Sequence, residues 1–225
     1  MSGRASSYRR SSHGAGCDDG VSLTTTTSPM SVKLLSDFID KFATALSQVQ
    51  PSVLADAWVE GRTKERTQIY RDILCSVAAA MTPMLTVKEQ HCLIDFVLGK
   101  PIELDGVDSK AIVPLIALES ENIVTGTCKE VDNLCAMASP IKVLITCAIW
   151  SREPGKQDDR EKTLERWRSI HAAHVAALPG RAEDAFVVIV GERTRKKLRF
   201  FKEVLSAPGV VSAALVDLIP PIQLP

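Results

Sequence analysis

Apolar residues recur along this chain with two different periods. Leu34, Leu35, Phe38, Ile39, Phe42 and Leu46 fall three or four apart, which predicts a helix with Ser31 as its N-cap. Ile69, Tyr70, Ile73, Leu74, Val77 and Met81 repeat the spacing and predict a second helix over 64–81. After Pro83 the pattern shortens. His91-Cys-Leu-Ile-Asp-Phe-Val-Leu98 is β-branched and aromatic and stops at Gly99-Lys-Pro101, so it predicts a strand. A turn-rich link from Glu103 to Asp108 leads to Leu115-Ile-Ala-Leu-Glu-Ser-Glu-Asn122, an apolar run that predicts a buried strand. A helix over 128–137, a strand over 141–148, a polar loop over 151–160 and a helix over 160–178 follow, the last ended by Pro179-Gly180. Ala185-Phe-Val-Val-Ile-Val-Gly191 predicts a further strand, and the apolar stretch from Val210 to Ile219 fits either type. Helix, helix, strand, strand, helix, strand, helix, strand is the order of an α/β domain with a mixed central sheet flanked by helices.

Residues 1–30 break the pattern. Ser, Thr, Gly and Arg dominate them, and so little apolar surface cannot offset the entropy of ordering, which predicts a disordered tail before one domain over 31–225. Arg4, Arg9 and Arg10 among serines hint at a transit peptide, but Asp18 and Asp19 and the missing apolar core speak against one.

Composition narrows the function classes. With 27 basic and 27 acidic residues the net charge is zero, so any polyanion must be held by local patches. No apolar run approaches the roughly 20 residues of a membrane span. The six cysteines (Cys17, Cys75, Cys92, Cys128, Cys135, Cys147) form no C-x-x-C pair, and buried free thiols in a reducing cytoplasm are the expectation. His171 and His174 share a helix face without a third ligand, which predicts a solvated face rather than a metal site. Trp58, Trp150 and Trp167 read as core or rim packing.

The carboxylates change the picture. Side chains alternate along a strand, so Glu119 and Glu121 project to one side with Ser120 opposite. Two carboxylates on one face resist burial and need a positive counterpart. Asp95 lies inside the preceding strand between Ile94 and Phe96, where an unpaired acid costs several kcal/mol unless it faces a site. If the two strands form a hairpin, Asp95, Glu119 and Glu121 converge into a hard oxygen set suited to Mg2+ or Mn2+. Such an ion can activate water and offset charge on a phosphodiester. Plainer readings stand beside this one. The glutamates can emerge at a solvated strand end with Lys142 as cross-strand partner, and Asp95 can be an edge-strand charge. The basic run Arg193, Arg195, Lys196, Lys197 and Arg199 can contact a phosphate backbone or line a solvated helix face.

Ile94-Asp-Phe-Val-Leu, then Leu-Glu-Ser-Glu-Asn, then Lys-Val-Leu-Ile-Thr resembles the core of the PD-(D/E)xK superfamily of restriction-endonuclease-like nucleases, over roughly 64–191. The resemblance implies a restriction-endonuclease-like fold and a Mg2+- or Mn2+-dependent DNA endonuclease. Asp95 would be the acid of the second core strand and Glu119 that of the third, with Glu121 in the position usually held by lysine. Asp95, Glu119 and Glu121 would then be the metal ligands and, with Lys142 supplying the missing cation, the catalytic set. Glu65 or Asp72 would supply the acid of the first core helix, and Asp108 is the rival for Asp95. DNA would lie against Arg193, Arg195, Lys196, Lys197 and Arg199. Many members of the superfamily dimerise, so a homodimer is compatible with the resemblance. A member that has lost activity would keep the fold and bind protein or nucleic acid.

Overall fold

The computed structural model describes residues 29–59, 61–102, 111–148, 157–178, 180, 184–205 and 215–224. Within them lie five α-helices: α1 (Pro29–Gln48), α2 (Pro51–Ala57), α3 (Thr63–Ala80), α4 (Cys128–Ala136) and α5 (Gln157–Ala177). The strands are β1 (Thr86–His91), β2 (Ile94–Pro101), β3 (Ile112–Glu121), β4 (Ile141–Ala148), β5 (Ala185–Arg193), β6 (Lys197–Leu205), β7 (Val216–Asp217) and β8 (Ile222–Gln223). Neighbours run β1-β2-β3-β4-β5-β6-β7, with β8 on β6. The pairs β3/β4 and β4/β5 are parallel and the outer pairs antiparallel, so the protein is a mixed α/β fold.

The mixed pairing follows from the connections. Parallel strands need a crossover, and α4 and α5 occupy the two intervals between β3, β4 and β5. Their inner strands are nearly continuous apolar runs because both faces are covered. Phe96, Leu118, Ile145 and Val187 face α1 and α3, where Phe38, Phe42, Leu74 and Val77 close one layer. Val97, Ala117, Leu144 and Val188 face the other way, against Val131, Leu134, Leu164 and Trp167.

Several expectations need correction. The predicted strand over 91–98 is two strands, split by a two-residue turn at Cys92 and Leu93 that pairs His91 with Ile94. Both turn residues have positive φ, +55° and +69°, a conformation that costs a residue with a Cβ about 1–2 kcal/mol. β1 was invisible as a pattern because Thr86-Val-Lys-Glu-Gln-His91 holds one large aliphatic residue. The first helix starts at Pro29, so Ser31 lies inside it rather than capping it, and the last two residues of the expected tail, Pro29 and Met30, belong to this helix. The rest of that tail, the link over 103–108 with Asp108, Trp150 and residues 210–214 lie outside the described residues. The basic segment is neither helix face nor loop alone: Arg193 ends β5, Arg195 and Lys196 make the turn, and Lys197 and Arg199 belong to β6.

The cysteines among the described residues are free, but only Cys135 is buried, with Cys75 and Cys92 exposed. His171 is buried against Phe186, contrary to the expected solvated face, and His174 reaches Asp132 at 2.7 Å. Trp58 and Trp167 are buried, as expected of packing residues. The Trp58 indole donates to the Gly191 carbonyl at 3.3 Å and lies so close that a Cβ on residue 191 would meet its nitrogen at 2.4 Å, so glycine is required there. Among the described residues no helix is long and apolar enough to cross a membrane.

One end of the sheet holds both the acids of β2 and β3 and the basic turn. The C-terminal ends of β3, β4 and β5 lie there, together with the β1–β2 turn and the β5–β6 turn, because antiparallel neighbours begin where the parallel strands finish. The carboxylates of β2 and β3 and the basic β5–β6 turn, roughly 75 to 100 residues apart in sequence, thus share one end of the sheet.

Candidate active site

Phe96 and Leu118 form the last backbone pair of β2 and β3 at this end. Beyond them side chains replace the ladder. The Ser120 amide donates to Asp95 Oδ2 at 2.9 Å, and the Asp95 amide donates to Glu119 Oε2 at 3.4 Å. Each acid therefore takes a bond that a strand carbonyl would otherwise accept, and the two strands splay. Strand alternation sets Asp95 on the face of Val97 and Glu119 on that of Ala117, the side covered by α4 and α5.

Glu119 is buried, and its acid is pushed up to about 8, first by burial, then by the charge of Asp95. Glu130, in the first turn of α4, adds further repulsion. One Glu130 oxygen is itself buried without a hydrogen-bond partner, as is the Thr146 hydroxyl on β4. Buried polar atoms are ordinarily paired with protein or with ordered water, and these two lie on the side of the sheet that carries Asp95 and Glu119. Thr127 fixes the start of α4, accepting from the Trp167 indole at 2.9 Å and donating to the Val124 carbonyl at 2.7 Å.

Linkage gives the raised acid a measurable consequence. Below the ordinary value of 4.5 Glu119 is protonated whether or not the chain is folded. Between 4.5 and about 8 the folded state keeps a proton that the unfolded chain releases, so stability is lost as pH rises through that window. In metal-free buffer Glu119→Gln should therefore gain on the order of 2–4 kcal/mol over wild type between pH 4.5 and 9, read by urea denaturation. Equal stabilities at pH 9 would mean that the carboxylate is not held neutral.

The other expected site residues stand elsewhere. Glu121 folds back to accept from the Asn122 and Ile123 amides at 2.7 and 3.2 Å, capping the strand end. Lys142 cannot serve as the missing cation: its Nζ donates to the Ser139 carbonyl at 2.8 Å and to Asp184 at 2.5 Å. Both partners lie at the opening of β4 and β5, the opposite end from Glu119. Glu65 turns outward to Arg62 at 3.0 Å, and Asp72 accepts from Gln68 at 2.8 Å. So two of three expected ligands meet, and among the described residues no three His, Cys, Asp or Glu side chains stand ready to hold an ion together. Glu130, the neighbour supplied by α4, gave no signal in the sequence beyond being one acid in an amphipathic helix. Burial pushes the Cys147 thiol up to about 11, which disfavours its thiolate near neutral pH.

Of the basic run, Arg193 donates to the Ala55 carbonyl at 2.7 Å, and Arg199 pairs with Asp217 at 2.8 Å and Glu192 at 3.7 Å. Arg195, Lys196 and Lys197 are exposed at the turn. A cleft of about 360 Å³ lies on the opposite face, between α3 and the β1–β2 hairpin, lined by Lys64, Gln68, Arg71, Glu89 and Asn122. It does not contain the carboxylate pair.

No protein-family model matches the sequence, and no curated protein matches it either. Among solved structures, the central domain of yeast acetyl-CoA carboxylase superposes on 84% of this chain and 30% of its own, with 11% identity and a TM-score of 0.37. The chain thus spans under a third of that relative's length, and a likeness at that score carries nothing about function.

Proposed function

We propose that this chain is a metal-dependent phosphodiesterase acting on DNA, with a restriction-endonuclease-like core. The observation that carries the reading is the contact of Asp95 and Glu119 at the splayed end of β2 and β3, with the Glu119 acid raised to about 8. Two acids in contact behind α4, with the charge of Glu130 nearby, make a cluster short of positive charge, and hard carboxylate oxygens fit a divalent cation such as Mg2+ or Mn2+. Asp95 and Glu119 would hold the ion. Glu121, where the resemblance expects lysine, would orient water from the strand end, though its carboxylate is turned onto the Asn122 and Ile123 amides. A divalent cation supplies Lewis-acid polarisation of a phosphoryl oxygen and eases ionisation of water. The shared end of the sheet also supports a polyanion: Arg195, Lys196 and Lys197 are exposed at the β5–β6 turn, across β4 from the carboxylates, and a DNA strand lying along that end would meet both. Free thiols suit a reducing compartment such as the cytoplasm.

A second reading is a non-catalytic module of the same fold that binds protein or nucleic acid. Glu121 in the lysine position and the diversion of Lys142 to Asp184 favour it.

Calorimetric titration with Mn2+ tests the site without a substrate. Binding must displace the Glu119 proton, so affinity should rise as pH increases toward 8, with proton release seen as a buffer-dependent enthalpy. Glu119→Gln should abolish the heat. Wild type that takes up no Mn2+ at pH 8 would end the nuclease reading, and Mn2+ binding without DNA cleavage would leave the second.

A further inference from the structure

Among the described residues no acid pairs with the guanidinium of Arg66. This residue of α3 is 6% exposed and donates to the Ala57 and Val59 carbonyls at 2.9 and 3.1 Å and to Asn122 Oδ1 at 2.8 Å. All three acceptors are neutral. The acids beside these groups in sequence are engaged elsewhere: Glu65 by Arg62 at 3.0 Å, and Glu121 by the Asn122 and Ile123 amides. Closing the end of α2 accounts for the two carbonyls, since Ala57 is its last residue. A neutral donor would do the same at a lower cost of burial, because buried charges are ordinarily paired with an opposite charge.

The bond to Asn122 brings that charge to the cleft between α3 and the β1–β2 hairpin. Arginine can only donate, so the Asn122 oxygen faces Arg66, and its NH2 is what remains for the cleft that Asn122 lines. Arg71 and Glu89, which also line it, hold each other through two bonds of 2.7 and 2.5 Å, and their charges cancel. Lys64 is exposed there and pairs with no acid among the described residues. The cleft therefore offers an ammonium, an amide NH2 polarised by the guanidinium behind it, and the hydroxyls of Thr63 and Thr67. Its two uncompensated charges, on Lys64 and Arg66, are both positive.

We infer that this cleft binds a phosphate monoester, held by Lys64 and the Asn122 NH2 with the charge of Arg66 behind them. A monoester carries a charge of about −1.5 to −2 near neutral pH, which matches two cations better than the single charge of a carboxylate or a phosphodiester. At about 360 Å³ the cleft has room for a nucleoside beyond the phosphate. Such a group belongs either to a free mononucleotide or to the phosphorylated end of a DNA strand. The second source is within reach because Phe96 and Asn122, which line the cleft, directly follow Asp95 and Glu121 on the opposite face of the sheet. Binding here needs no metal at Asp95 and Glu119, so the cleft stands apart from the nuclease reading.

Calorimetry on the full chain in EDTA, which keeps metal from the carboxylate pair, tests the cleft with inorganic phosphate, dAMP and deoxyadenosine. Wild type should bind phosphate and dAMP and give no heat with deoxyadenosine. Lys64→Ala changes an exposed position, should fold as wild type does, and should weaken dAMP binding at least about 10-fold through loss of a charged partner. Asn122→Asp should abolish binding while stability to urea stays equal or rises, because a carboxylate there pairs with Arg66 and takes the place of the ligand's charge. Mn2+ uptake should be unchanged in Lys64→Ala, so failure of this site and failure of the metal site are distinct results. A single strand with and without a 5′-phosphate, followed by fluorescence anisotropy, separates the two sources. Tightening of at least about 10-fold by the phosphate names a DNA end, and no gain with dAMP still bound names a free nucleotide. Wild type that binds dAMP no better than deoxyadenosine would overturn the inference, and so would dAMP affinity unchanged in either variant.

Discussion

Glu119→Gln is expected to lower Mn2+-dependent cleavage of DNA by at least about 100-fold, while the chain stays folded. The substitution keeps the size of the side chain and its acceptor oxygen, so the Asp95 amide retains its partner. What it removes is the second negative charge. A neutral amide cannot balance a divalent cation as a carboxylate does, and it cannot hold or release a proton. Asp95→Asn should lose a similar factor, and there the Ser120 amide keeps an acceptor only if the side-chain oxygen faces it. The sharper outcome lies in combining two measurements on Glu119→Gln. A residue that only stabilises the fold loses stability when replaced; Glu119 is placed to gain it above pH 8 while activity falls. Like charges held together against their own repulsion are the pattern by which sites trade stability for chemistry. Cleavage unaffected by Glu119→Gln, with metal carry-over excluded by EDTA dialysis, would leave the raised acid as a packing feature and the enzyme reading without one of its two metal ligands.

Lys142→Ala is expected to destabilise the protein by about 3–5 kcal/mol and to leave cleavage per folded molecule nearly unchanged. Lys142 is 2% exposed, among the most buried of the large side chains, and its ammonium is held by the Ser139 carbonyl and Asp184. Truncation leaves that carbonyl and carboxylate short of a donor and opens a void among Leu144, Phe186 and their neighbours. Asp184 keeps some access to water, with its side chain 18% exposed, which holds the cost below that of a fully enclosed charge. The double variant Lys142→Met with Asp184→Leu should recover most of the loss, because an apolar pair of similar volume needs no desolvated ions. Urea denaturation of the single and double variants measures the stability, and DNA cleavage normalised to folded protein measures the role. A large loss of cleavage at unchanged stability would return Lys142 to the active site.

These two residues mark where the reading of the chain stopped. Asp95 and Glu119 were legible as candidates because an acid inside an apolar, β-branched run is costly, and the hairpin that joins them was a short step from strand order. Their contact depends on the register Phe96–Leu118, which places 95 and 119 beside each other. Lys142 sits in just such a run, but nothing in Ile141-Lys-Val-Leu indicates which way a four-carbon stem bends. Its partner comes from residue 184, 42 positions later, in the approach to β5. Glu130 is one polar residue among several on α4, and only the seating of that helix brings it near Glu119. His171 belongs to a helix whose sequence suggests a wet face, until Phe186 closes over it.

Strands fared unequally for a related reason. β3, β4 and β5 are covered on both faces, so their burial requires apolar runs that can be read one residue at a time. β1 is an edge strand, Thr86-Val-Lys-Glu-Gln-His91, and exists because β2 offers an unpaired edge to its backbone. β6 hides behind Lys197, Arg199 and Lys202, whose charges mask the inward Leu198 and Phe200.

The sequence by itself determined the α/β class, the central strands, the helices between them and the two acids worth testing, because burial cost is a local property of residue type and period. Tertiary structure alone decided that Lys142 belongs to Asp184, that the charge of Glu130 acts on Glu119, and that the β1–β2 turn and the basic turn share the carboxylates' end of the sheet. Those outcomes depend on which distant segments pair and in which register, and long-range pairing is set by the packing of the whole sheet rather than by any one stretch of chain.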